Sequence, residues 1–182
     1  MQARKGRGLV FEPPTQEEQA WIRQGLIHYM PEKEVDLFLQ GKHLLVGRGR
    51  RNEVYLLSGA LLKLYHTISR KRHPYFIGLF LGELDGETLD PSLHILQQLT
   101  AKAKEKAIVK VTNEGEQRFL YGHNLFSNHV QEPSSLTHIK GRTIIINQLG
   151  EGLGYCTIAM ERTQKPVLKN RKDLGWYLRR GQ

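Results

Sequence analysis

Between Glu116 and Val130 the chain reads EQRFLYGHNLFSNHV, which sets His123 and His129 among Tyr121, Asn124, Ser127 and Asn128, with His138 a short way on. Two chemistries could use such a set. A zinc site takes three or four ligands at spacings such as His-x3-5-His, completed by cysteines or a carboxylate. Here the two histidines stand six apart, no Glu adjoins either, His138 follows a turn, and no cysteine is near. Acid–base or nucleophilic catalysis needs a nucleophile or a poised carboxylate within reach of the ring, and the sequence sets neither Ser127 nor Asp173 there. The remaining reading is structural. Phe119, Leu120, Leu125 and Phe126 pack inward, while His and Asn cap short helical turns and satisfy backbone groups. No catalytic residue, metal ligand or cofactor is expected.

The second constellation is cationic. The formal net charge is +9 and the isoelectric point is near 9.7, a balance that favours an anionic partner, usually nucleic acid. Residues 1–100 carry 13 Lys/Arg against 11 Asp/Glu, and residues 101–182 carry 14 against 7. Asp173 is the one acid between Arg162 and Arg180, a stretch holding Arg162, Lys165, Lys169, Arg171, Lys172, Arg179 and Arg180. On a strand, Lys169 and Arg171 would point the same way and could track a phosphate backbone with steep salt dependence. These seven residues are the expected RNA contacts; the competing reading is a solvated, solubilising face. Trp176 and Tyr177 could stack bases, but with Leu174 and Leu178 they read as an apolar segment that closes the fold. Gly150, Gly152 and Gly154 lack the helix of a dinucleotide fingerprint and read as a hairpin turn. The GRGRR run from Gly47 to Arg51 reads equally as a second RNA contact or a basic hairpin tip.

The elements that must hold these residues change texture along the chain. Thr15-Gln-Glu-Glu18 has the form of a capping box and opens a helix from Gln16 to Tyr29. Strands are expected at His43–Val46 and Val54–Leu57, a short helix in GALLKLYHTI, a buried strand in YFIGLFLGEL, with bends at Gly78, Gly82 and Gly86, another strand at Ser92–Leu96, and then a helix through Ala103. Beyond AKAKEKA come AIVKV, TIIIN, GYCTIAM and PVLK, short β-rich runs of the kind that close a small barrel. The fold expected is an α+β N-terminal domain (1–103, with a basic leader at 1–14) followed by a small β-barrel-like domain (104–182). No apolar run approaches the roughly 20 residues of a membrane span, no signal-peptide core is present, and one cysteine excludes an internal disulfide. A soluble, cytosolic protein is the expectation.

Three motifs in order carry a family resemblance: Glu116-Gln117-x-Phe119-Leu120-Tyr121-Gly122, then Leu153-Gly154, then Asp173-Leu174-Gly175-x-Tyr177-Leu178-Arg179. Residues 104–182 resemble the PUA domain (the pseudouridine-synthase-and-archaeosine-transglycosylase module). The whole chain resembles the ribosome-biogenesis factors called nuclear import protein seven, in their archaeal form. Residues 1–103 support this through EVYLLSGALLKL, YFIGLFLGEL and SLHIL, while the leader before Thr15 departs from the short N-termini of that family. The resemblance implies a PUA domain that binds RNA and an N-terminal domain for protein contacts. It further implies work in large-subunit pre-rRNA processing, with assembly factors and exosome components as partners and a nucleolar location in eukaryotes. The alternative is an RNA-modifying enzyme, or its RNA-delivery subunit, using the PUA domain for substrate. About 100 N-terminal residues without a cofactor loop or paired-carboxylate motif weigh against it.

Overall fold

A computed structural model describes residues 10–69, 74–139, 141–160 and 165–179, with the backbone alone at 135, 137, 138, 177 and 178. Two compact units emerge, Met1–Ile27 with Glu32–Ile95 and His28–Pro31 with Leu96–Gln182.

The first unit is an antiparallel sheet whose five strands lie in sequence order: β1 (Val10–Glu12), β2 (Lys42–Arg48), β3 (Asn52–Ser58), β4 (Leu79–Asp85) and β5 (Thr88–Pro91). Helices α1 (Gln16–Tyr29) and α2 (Glu32–Leu39) separate β1 from β2, and α3 (Gly59–Ile68) follows β3. The capping box forms as expected: the Glu18 N–H donates to Thr15 Oγ1 at 3.2 Å and the Thr15 N–H to Glu18 Oε2 at 2.9 Å. Phe11, Leu45, Tyr55 and Leu57 make the core, with Leu62, Tyr65, Ile77 and Phe80 packed against it. The β2–β3 tip places its cations on acids. Arg48 forks onto Glu18 at 2.5 and 2.8 Å, and Arg51 reaches Glu83 at 2.7 Å.

Three local expectations shift. The strand in YFIGLFLGEL starts only at Leu79, leaving Tyr75 and Phe76 exposed ahead of it. Gly78 sets that start: it holds φ +66°, and a Cβ there would lie 2.6 Å from the Leu56 carbonyl oxygen. Residues 92–96 are not a strand. Pairing runs instead through Thr88–Pro91, and Pro91 has no N–H to extend it. Ser92 then ties back to β4, its hydroxyl donating to the Phe80 carbonyl at 2.7 Å. The chain turns through Leu93–Ile95 into α4 (Leu96–Ala101). Helix α2 had no sequence expectation: it is short and buries only Val35 completely.

The second unit is a curled, half-barrel sheet in the order β6 (Ile108–Lys110), β8 (Arg142–Ile146), β9 (Gly152–Met160), β10 (Pro166–Asp173) and β7 (Leu125–Phe126). The β6–β8 pair is parallel and the others antiparallel. Helix α5 (Asn113–Leu120) starts at Thr112, whose hydroxyl accepts the Gly115 N–H at 3.1 Å, and α6 is Trp176–Arg179. Val109, Val111, Phe119, Leu125, Ile145, Cys156 and Leu168 are among the side chains that fill the concave side. Burial holds the Cys156 thiol well above its usual titration range and so in its unreactive form. The Gly-rich hairpin between β8 and β9 is organised by Asn147, whose Oδ1 accepts the Leu149 and Glu151 N–H groups at 3.0 and 2.9 Å.

Candidate nucleic-acid interface

The histidine cluster resolves into supports for the sheet. His129 is buried, and its Nδ1 accepts the Phe126 N–H at 3.0 Å across the single turn Ser127–His129. Its Nε2 lies 3.6 Å from Glu114 Oε1. Asn124 Oδ1 accepts the Asn170 N–H at 3.0 Å, joining the segment to β10. His123 is exposed, and the His138 ring lies outside the described residues. For His129 and Asn124 the expected role, satisfying backbone groups at turns, is what the structure shows.

The cations assemble on the opposite side of the sheet from Cys156. Residues paired across a ladder share a face. Thr157 in β9 pairs with Arg142 of β8 on one side and Lys169 of β10 on the other. One rung therefore runs Arg142–Thr157–Lys169 across three strands. Arg171 joins it by donating Nε–H to Thr157 Oγ1 at 2.9 Å. A β-bulge between Asn170 and Lys172 inserts Arg171 as an extra residue, so Lys172 falls opposite Tyr155, two positions from Thr157 and on the same face. Strict alternation would have sent Lys172 to the core face; the bulge re-aims it. Exposed Lys165 stands just ahead of β10. Strands β8 and β9, and β10 as far as Lys172, contain no Asp or Glu. Further along this face Ile144 and Tyr155 are fully buried, with the Tyr29 ring edge-on to Tyr155 at 5.8 Å, so the open part of the face is the cationic part.

Arg179 has a different occupation. It forks onto buried Asp173, Nη1 to Oδ1 at 2.8 Å and Nη2 to Oδ2 at 3.0 Å, and Nη1 also donates to the Leu120 carbonyl. The Asp173 carboxylate raises the guanidinium's titration still further above neutrality. The three family motifs meet at this junction. Gly122 lies under the Arg179 guanidinium, where a Cβ would be 3.1 Å from Cζ. A Cβ on Gly154 would fall 2.1 Å from the Lys172 carbonyl oxygen and 2.9 Å from the Phe119 ring. Arg162 and Arg180 lie outside the described residues. Trp176 departs from the core expectation, being 41% exposed, and Leu174 is exposed as well. The Tyr177 side chain lies outside the described residues.

Sequence reasoning missed Arg142. It opens the TIII strand, 20 positions before the C-terminal basic run, and only the register brings it beside Lys169. The one sequence signal was a cation at the start of an otherwise apolar, acid-free strand.

Comparison with known proteins agrees with this architecture. Residues 11–93 match the NIP7/UPF0113 pre-PUA domain and residues 107–182 the UPF0113 PUA domain. A UPF0113 protein of Aeropyrum pernix is 27% identical over 172 residues, covering 94% of this chain and 92% of that protein. One from Archaeoglobus fulgidus is 28% identical over 178 residues, covering 94% and 95%. Among solved structures, a hypothetical protein of Pyrococcus horikoshii superposes with a TM-score of 0.58 at 11% identity, over 93% of this chain and 99% of that one, a likeness of fold. No helix among the described residues is long and apolar enough to cross a membrane.

Proposed function

The chain belongs to the NIP7/UPF0113 family, with a pre-PUA domain followed by a PUA domain, and on that premise we propose that it is an RNA-binding assembly factor. RNA lies along the cationic face of the PUA sheet, over Arg142, Lys169, Arg171 and Lys172, with Lys165 at its entrance. The observation that carries this reading is the acid-free rung Arg142–Thr157–Lys169 with Arg171 bonded to its centre. Parallel cations on a rigid sheet neutralise phosphates without reading base sequence, and such contacts set affinity and placement. Arg179 serves the fold rather than the RNA. The family resemblance supports a role in large-subunit pre-rRNA processing, with the N-terminal domain engaging other assembly factors or exosome components. The reading includes no bond-making step.

The direct test is Lys165→Glu/Lys169→Glu/Arg171→Glu. Fluorescence anisotropy with single-stranded RNA should show affinity falling by more than tenfold at low salt, with the thermal melt unchanged. Wild-type affinity in that variant would remove the face from the reading. Crosslinking in cells should enrich precursor rRNA of the large subunit, with the crosslinked peptides in β8 and β10. Enrichment of messenger or transfer RNA alone would sink the ribosomal part.

A further inference from the structure

We propose that Tyr121 and Trp176 are a base-stacking pair at the end of the cationic strand, receiving unpaired bases of an RNA whose phosphates lie on β10. The inference rests on the RNA reading above and names the chemistry of its ligand: single-stranded RNA with accessible bases. Tyr121 is 64% exposed and Trp176 41% exposed, whereas Phe119 and Tyr155 in the same unit are fully buried. A single exposed aromatic is ordinary. Here two are held on segments that the fold locks together.

Gly175 packs its Cα directly on the Leu120 carbonyl; a Cβ there would sit 1.8 Å from the oxygen. Tyr121 follows Leu120 and Trp176 follows Gly175, so one backbone contact sets the two aromatic residues beside each other. Arg179 fixes the same junction by donating to the Leu120 carbonyl and forking onto Asp173. The platform is therefore built before any ligand arrives, which lowers the ordering cost of binding. Trp176 also stands four residues beyond Lys172 in the chain, so a strand tracked along Lys169, Arg171 and Lys172 ends at the platform. Aromatic faces next to phosphate-binding cations are the pairing that single-stranded nucleic acid requires, because every base offers a π-face whatever its identity. An apolar protein surface would instead meet a row of desolvating cations.

The chain has two tryptophans, Trp21 and Trp176, so Trp21→Phe leaves Trp176 as the sole indole reporter. Titrating that full-length variant with a short oligouridylate should quench Trp176 emission, with the same midpoint as anisotropy of the labelled oligonucleotide. An RNA duplex of equal length should quench it much less. Tyr121→Ala should weaken oligouridylate binding by roughly tenfold, and Tyr121→Phe, which keeps the ring, should restore it. Binding by anisotropy with no change in Trp176 emission would overturn the stacking pair and leave the cationic face standing. Wild-type affinity in Tyr121→Ala would also overturn it. Equal quenching by poly-glutamate would make this a surface for acidic protein and reject RNA stacking. Absence of any oligouridylate binding at low salt would instead sink the RNA reading itself.

Discussion

Asp173, alone among seven cations in sequence, works as an anchor. Its buried carboxylate accepts both arms of the Arg179 guanidinium, which reaches on to the Leu120 carbonyl and lies over Gly122. The three motifs that mark the family thus form one interlocked closure of the half-barrel, and their residue types follow from it. Glycines stand where backbones nearly touch, and the Asp and Arg stand where a fork must close. Asp173→Asn should lower the melting temperature by about 5 °C, followed by near-ultraviolet circular dichroism, and Arg179→Lys should do the same because an ammonium cannot make the fork. Single-stranded RNA affinity below the melt should stay near wild type in both; a tenfold loss in Arg179→Lys with an unchanged melt would return Arg179 to the RNA face. Residue type alone left this open, since a terminal arginine reads identically whether its partner is a phosphate or a buried carboxylate. Lys169 and Arg171 were legible because alternation along one strand suffices. Arg142 and the bulge-directed Lys172 were not, because register and bulges belong to pairs of strands.

At the scale of elements, signals contained within a few residues were readable and those depending on neighbours were not. The N-terminus of α1 is the clearest local case, its capping box present in both directions. What the box did not reveal is that Glu18 also holds Arg48 of β2, tying the helix start to the sheet. Ser92–Leu96 and the start of β4 were misread because Pro91 and the tight approach at Gly78 act through β-partners. The Arg48 hydrogen bonds are the main reason the Glu18 carboxyl titrates below its ordinary value of 4.5, with the Thr15 N–H adding to them. A carboxylate lowered in the folded state contributes stability above pH 4.5 and loses it as pH falls through the folded-state value. Glu18→Gln retains a capping-box side chain but removes the charge facing Arg48. It should cost about 1–2 kcal/mol at pH 7 in urea unfolding and flatten the decline in stability below pH 4.5. A variant whose acid limb matches wild type would show that this pair does not govern acid stability.

For the molecule as a whole, the net charge of +9 pointed to an anionic partner, and the change of texture near residue 104 pointed to two differently built parts. Neither observation locates a binding face. Total charge acts at long range and is screened within about 8–10 Å at physiological ionic strength, while phosphate contacts depend on cations fixed in a row. In the first unit Arg48 and Arg51 are engaged by Glu18 and Glu83, and its exposed cations, such as Lys33, Arg50 and Lys63, are scattered over α2, the β2–β3 tip and α3. Two variants with the same change in net charge separate the effects. Lys33→Glu/Arg50→Glu/Lys63→Glu lowers the long-range field while sparing the PUA sheet; Lys165→Glu/Lys169→Glu/Arg171→Glu removes the row. If binding is local, the first should change affinity for single-stranded RNA by less than about threefold at physiological salt and keep the slope of log K against log salt. The second should lose most affinity, and its slope should shallow by roughly 0.7 for each phosphate contact removed. Equal losses in the two variants would mean that the chain holds RNA through its overall field, and the cationic face would have no special claim to it.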